Sequence, residues 1–303
     1  MNQALAAALA KLAENEEKAR SSSAFTQAQR RALDEFIQQT GCIRVYRKGR
    51  GWGYEVCNQT LFNRHLQELR PDRDSDLASD LNDRARNIAT RRSSKAGQHQ
   101  HDLYYLLLKA SGSGVQWFND EGVTLELSES TDAYGLGALQ VAPSDTWRTD
   151  QPLWLIENQA LFDSLDWVEP ALGGSVAYYA GNLTNNLLRW LESRQRASQV
   201  ILFPDYDGTG LENYARLKTA IGDQASFWLM PGWKALLARY GNRTIWQDNL
   251  VTFETARQRL KWLAPEDRVH ELIEELAFWG MMLEQEAIGL ISGEFTSGPT
   301  TQG

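Results

Sequence analysis

Apolar positions along this chain follow two different periods. From residue 151 onward, short solid apolar runs alternate with helix-periodic stretches. Leu153-Trp154-Leu155-Ile156, residues 175–179, residues 199–203 and residues 225–230 read as strands, and residues 158–165, 183–196, 209–221 and 232–240 as the helices between them. Strands apolar on both faces belong in parallel sheets, and the alternation predicts right-handed crossovers. Helical periodicity continues over 253–262 and 266–288, the latter ending Met281-Met282-Leu283-Glu284-Gln285-Glu286.

The front of the chain is patterned otherwise. Residues 3–20 predict a short amphipathic helix, and Ser21-Ser22-Ser23 a break. Thr26-Gln27-Ala28-Gln29 fits a capping box ahead of Leu33, Phe36 and Ile37 at helical spacing. Residues 42–47 and 54–57 predict a hairpin around the turn Lys48-Gly49-Arg50-Gly51-Trp52-Gly53, with a helix over 59–69. Helix, basic hairpin and helix together predict a winged-helix-like module with the hairpin as its wing. Residues 71–83 read as a polar linker or the start of a solvated helix. Residues 104–109, 115–118 and 123–127 suggest a small antiparallel sheet. The expected organisation is an N-terminal helix (1–20), a winged-helix-like α+β module (21–83), a basic β-rich connecting region (84–150), a parallel α/β domain (151–290) and a disordered tail (291–303).

Composition changes this picture mainly through charge. The net charge of −8 over 303 residues hides an asymmetry: residues 1–110 carry 18 Lys and Arg against 13 Asp and Glu, and the remainder carries 13 against 26. A basic front and an acidic back point to a phosphate-contacting half joined to a half able to hold cations. Arg44, Arg47, Lys48 and Arg50 fall on the hairpin. Arg84, Arg86, Arg91, Arg92 and Lys95 fall in a basic Ser/Gly-bearing stretch read as a phosphate-contacting loop. Such contacts would position DNA without reading its sequence. No apolar run approaches a membrane span, no signal peptide is legible, and Cys42 and Cys57 lack metal-ligand spacing, so a cytoplasmic chain is expected. His99 and His101 alternate in the basic loop without a cysteine pair, which argues against zinc.

The candidate chemistry sits at two predicted strand ends. Glu157 follows the first apolar run, and Asp205-Tyr206-Asp207 follows Val200-Ile201-Leu202-Phe203-Pro204, with no Lys or Arg in either motif. Ligands of open α/β sheets bind beyond the carboxyl ends of strands. Three acids there make a candidate site for a hard cation, Mg²⁺ or Mn²⁺. Ordinary turn chemistry at Asp-Gly, and helix capping by an acid, are the plainer roles of the same residues.

Leu155-Ile156-Glu157-Asn158 and Phe203-Pro204-Asp205-Tyr206-Asp207-Gly208-Thr209-Gly210 together resemble the Toprim domain of topoisomerases, primases and related nucleases. The segment Leu283-Glu284-Gln285-Glu286-Ala287-Ile288 is similar to one near the C-terminus of the nuclease subunit of Wadjet-type plasmid-defence systems, which itself resembles the topoisomerase VI A subunit. The resemblance covers residues 151–290 best. It implies a metal-dependent DNA endonuclease with Glu157, Asp205 and Asp207 as metal ligands, and Glu284 or Glu286 as a further ligand or support. It also implies double-stranded DNA as substrate, a homodimer, and an SMC-like ATPase with kleisin and accessory subunits as partners. Tyr104-Tyr105 after Asp102 loosely resembles a tyrosine-bearing segment of topoisomerase VI relatives, with His101 where that family has arginine. Two alternatives stay open: a non-catalytic DNA-binding or assembly subunit, and a phosphatase-like enzyme using Asp205-Tyr206-Asp207-Gly208 as a nucleophile motif.

Overall fold

The structure, a computed structural model, describes residues 3–15, 18–49, 51–72, 77, 79–91, 93–95, 103–169 and 172–290. The chain is mixed α/β and divides into two compact units, residues 1–100 and 101–303.

The first unit contains α1 (Gln3–Ala13), β1 (Ala19–Ser21), α2 (Gln27–Thr40), β2 (Ile43–Lys48), β3 (Gly51–Val56), α3 (Gln59–Leu69) and α4 (Asp83–Arg91). Its antiparallel sheet has the order β1-β3-β2. The predicted capping box forms: the Gln29 backbone N–H donates to Thr26 Oγ1, and the Thr26 N–H to Gln29 Oε1. Gly41, at φ 63°, stops the helix in the left-handed conformation that glycine tolerates. Leu9, Leu12, Leu33, Phe36, Tyr54 and Phe62 form the core.

The first helix ends at Ala13 rather than near residue 20, and of the supposed Ser break Ser21 closes β1, whose residues pair with β3, while Ser22 and Ser23 form a 3-10 turn after it. Three residues carry too little periodicity to read as a strand; the ladder makes them one. Residues 84–91, expected as a loop, are helical, with Asn82 Oδ1 accepting from the Ala85 N–H in the first turn.

The second unit holds a six-stranded sheet of β4 (Tyr104–Ser111), β7 (Gly137–Val141), β8 (Leu153–Ile156), β9 (Gly174–Tyr178), β10 (Val200–Phe203) and β11 (Ala225–Phe227), in the order β11-β10-β8-β9-β4-β7. The first four strands of that order run parallel, β4 runs against them, and β7 runs against β4. A separate two-stranded hairpin comprises β5 (Gln116–Phe118) and β6 (Thr124–Glu126), followed by α5 (Leu127–Tyr134). The small independent sheet expected over 104–127 is therefore divided: β4 joins the main sheet by pairing with β9, and only the hairpin stands apart.

The crossover helices are α6 (Gln159–Asp163), α7 (Asn185–Ser193) and α8 (Gly208–Ile221), followed by α9 (Trp233–Tyr240), α10 (Arg243–Leu263) and α11 (Val269–Trp279). Every residue of β8 and β10 is buried, as their solid apolar sequences require. An aromatic cluster of Trp154, Trp167, Phe203 and Trp228 fills one face, with Phe203 and Trp228 centroids 4.6 Å apart. The helix expected over 266–288 ends at Trp279. Gly280, at φ 58°, turns the chain, and Met282 and Leu283 run extended to bridge Asn242 and Tyr206. Among the described residues no helix is long and apolar enough to cross a membrane.

Arg196 is a buried polar anchor of this unit, 1% exposed. Its guanidinium donates to the Asp145 carboxylate at 2.8 Å and to the backbone oxygens of Asp145, Trp147 and Trp190. Arg196→Ala would leave those acceptors and the carboxylate uncompensated. The expected cost is about 3–5 kcal/mol, read as a lower urea midpoint for the transition of residues 101–303.

Candidate metal centre

β8 lies in the interior of the sheet. The chain leaves it for β9 on one side and returns through α7 to β10 on the other, so the connections diverge between β8 and β10. Such a reversal opens a crevice beyond the strand ends. Ile156 and Phe203 are register partners, so the two strands stop level. Glu157 follows directly on one, and Asp205 two residues later on the other.

Each acid is half-buried and held by named donors. Glu157 Oε2 accepts from the Tyr179 hydroxyl at 3.1 Å and from the Asp205 backbone N–H at 3.4 Å. Asp205 Oδ1 accepts from the Gln285 N–H at 2.7 Å. Asp207 caps α8, its Oδ1 accepting from the Gly210 N–H at 2.7 Å. Glu157 Oε1 and Asp205 Oδ2 have no protein hydrogen-bond partner among the described residues. The alternation of an extended segment sends Asp205 and Asp207 outward and Tyr206 into the core, where its hydroxyl donates to Trp228 O and accepts from the Met230 N–H. Gly210 is required, since a Cβ there would lie 2.0 Å from Asp205 O.

The electrostatics follow from this geometry. Burial, then the charges of Asp205 and Asp207, push the Glu157 carboxyl up to about 7. Burial, opposed by the Gln285 N–H, raises Asp205 to about 6, with Asp207, Glu286 and Glu284 adding repulsion. Burial raises Asp207 as well. None of the ion pairs among the described residues involves these three acids, so their repulsion is relieved only by protons or by an added cation. Donors that are all oxygen suit a hard divalent cation. Among the described residues, however, no three His, Cys, Asp or Glu side chains already surround one cation-sized point. In place of that arrangement, Asp205 and Asp207 each direct an oxygen to a backbone N–H.

The other sequence candidates fall as follows. Glu284 and Glu286 are exposed and flank the buried Gln285; the Asn158 side-chain amide donates to Glu286 Oε1. Because 281–283 are extended rather than helical, this segment reaches the strand ends. Tyr104 and Tyr105 begin β4, which runs against β9, so they stand at the same sheet edge as Glu157, two strands away. Arg44 and Arg47 are exposed on β2, and Arg44 pairs with Glu55 at 2.9 Å. Lys48 closes β2 and Arg91 closes α4, while Arg84 and Arg86 lie within α4 and Lys95 beyond it is exposed. Arg50, Arg92, His99, His101, Asp102 and the tail expected over 291–303 lie outside the described residues. Two contributors were not singled out as site residues in the sequence: Tyr179, the last residue of the strand expected over 175–179, which ends at Tyr178, and Gln285, which appeared only within the segment 283–288.

No family model matches the chain, and no curated protein matches its sequence.

Since the folded site keeps its protons to higher pH than an unfolded chain, the native state binds more protons between about pH 4.5 and 7, and stability falls as pH rises through that window. Melting temperature in the absence of divalent cations should therefore decline across this range. Glu157→Gln, which cannot ionise, should flatten the upper part of the decline. An unchanged slope in that variant would place the coupled protons elsewhere.

Proposed function

We propose that the chain is a divalent-metal-dependent DNA endonuclease of the Toprim, topoisomerase VI A-like kind. The observation that carries this reading is the convergence of Glu157, Asp205 and Asp207 on two adjacent, level strand ends at the reversal of the sheet, with no cation paired to them. Glu157, Asp205 and Asp207 would hold Mg²⁺ or Mn²⁺, with Glu286 supporting through Asn158. A bound cation supplies positive charge at a scissile phosphate and acidifies water there. The chain's own residues do the rest. Tyr179 holds its proton toward Glu157 Oε2 and orients that carboxylate, and the Gln285 N–H orients Asp205.

The first unit supports a DNA-binding role. Its sheet order β1-β3-β2, with α2 between β1 and β2, is compatible with a winged helix whose wing is the β2–β3 turn. The exposed Arg44 and Arg47 lie on that hairpin and would contact phosphates. Cutting both strands requires two sites, hence a second copy of the chain. An SMC-like ATPase with its kleisin and accessory subunits is the partner that the sequence resemblance suggests.

A second reading, a non-catalytic DNA-binding or assembly subunit, is favoured by the absence, among the described residues, of acids already grouped round one point. Plasmid nicking in Mg²⁺ or Mn²⁺ separates the two. Under the nuclease reading, Glu157→Ala and Asp205→Ala reduce nicking to background while duplex binding persists. No nicking by the wild type, with or without its motor partner, would favour the binding role.

Duplex binding has its own signature. Arg47→Ala should lower the slope of log K against log salt by about 0.9, the value for one lost phosphate contact. Arg44→Ala should lower it less, because Glu55 already neutralises part of that charge. Equal slopes for wild type and both variants would remove the hairpin from the interface.

A further inference from the structure

Gln285 is buried without residual exposure, and its side-chain amide and backbone N–H bond at the ends of the two strands that bear the candidate site. Its side-chain Nε2 donates to the backbone oxygen of Phe203, the last residue of β10. Its Oε1 accepts from the backbone N–H of Asn158 at 3.0 Å, one residue beyond Glu157. Its own N–H donates to Asp205 Oδ1 at 2.7 Å. The β8–β10 ladder stops at Ile156 and Phe203, so this amide takes over just where backbone pairing ends. The segment that carries it is itself fixed. Leu283 exchanges backbone hydrogen bonds with Tyr206, at 2.8 and 3.2 Å, and Met282 with Asn242, at 2.8 and 3.1 Å.

We propose that Gln285 is a positioning residue: a neutral clasp across the ends of β8 and β10 that sets the separation of Glu157 from Asp205, and so the affinity of this site for a divalent cation. The proposal rests on the metal-centre reading above. Its physical basis is that Glu157 and Asp205 repel when ionised, and nothing charged among the described residues holds them together. Loop backbones beyond a ladder would drift apart under that repulsion. A neutral amide satisfies one donor and one acceptor, one from each loop, without adding a charge that would compete with the cation. Groups that orient ligands in this way typically change metal affinity by about 10–100-fold when removed.

The test is Gln285→Met in the full chain. Methionine keeps the volume and the burial but loses both side-chain bonds. Two readouts apply: Mn²⁺ affinity, from the electron paramagnetic resonance signal of free Mn²⁺, and residue-resolved amide hydrogen exchange without metal. The expected result is affinity weaker by about 10–100-fold, with faster exchange at Asn158 and Gln285 and unchanged protection in the β4–β9 pairing. Affinity equal to wild type would overturn the positioning role, leaving Gln285 a core residue. Affinity lost together with protection throughout the six-stranded sheet would also overturn it, since the effect would then be global. A wild-type chain that binds no Mn²⁺ would defeat the metal-centre reading and the affinity half of this proposal, and the Asn158 exchange would then decide the clasp alone. The wild type offers a check without any variant: the Asn158 amide should exchange as slowly as those of β8, and loop-like exchange there would overturn the clasp.

Discussion

Because Ile156 stands opposite Phe203 in a parallel pair, β8 and β10 end at one level, and the residues beyond them are forced into proximity. That register is the constraint on which the candidate centre depends. A slip of one strand by one residue would send Trp154 and Phe203 to opposite faces of the sheet and break up their shared cluster. The aromatic cluster of Trp154, Trp167, Phe203 and Trp228 therefore does more than fill volume, since it locks the register that brings Glu157 to Asp205. Core packing and acid placement are two consequences of the same strand pairing.

The Asp-Tyr-Asp segment converts that register into chemistry. Tyr206 is fully buried and engages Trp228 O and the Met230 N–H, so its neighbours on either side must face outward. The same segment opens α8, and Asp207 satisfies one of the first-turn N–H groups that a helix leaves unpaired. Behind it, Gly208 lets α10 approach so closely that a Cβ would meet Phe253 N at 2.7 Å. Gly208 and Gly210 are thus constrained twice, by the helix they start and by the backbone they pack against. The carboxylates are what remains free to meet solvent or a ligand.

The strands at 153–156 and 200–203 were legible because burial on both faces writes itself as unbroken apolar sequence, and the helices between them because their periodicity is regular. The three acids were legible for the same reason, standing at the ends of those runs. What local sequence could not show was anything decided by long-range pairing. β1 is three residues that become a strand only against β3. β4 reads as one strand of a hairpin set, yet pairs with β9, some seventy residues away in sequence. The clearest loss is at 281–286, where helical periodicity persists although Gly280 has already ended the helix. The partners of that segment, Tyr206 and Asn242, lie far back in the chain and leave no mark on its own pattern. The roles of Tyr179 and Gln285 were invisible for this reason too, because they are defined by what those side chains touch.

Buried carboxylates in a folded protein are ordinarily neutralised by Arg or Lys, and this unit uses that solution elsewhere: Asp145 is met by the buried Arg196. At the ends of β8 and β10 the chain does something different, placing the Tyr179 hydroxyl and backbone N–H groups against three acids, with the neutral Gln285 side chain bonded to the backbone beside them. Hydrogen bonds of that kind orient the oxygens while leaving the negative charge uncancelled, so the acids remain costly to ionise, with Glu157 at about 7. A cationic side chain at this end of the sheet would cancel part of that charge, and none of the ion pairs among the described residues supplies one. The neutral choice keeps the repulsion in place, and a divalent cation is the species that would relieve most of it in one binding event.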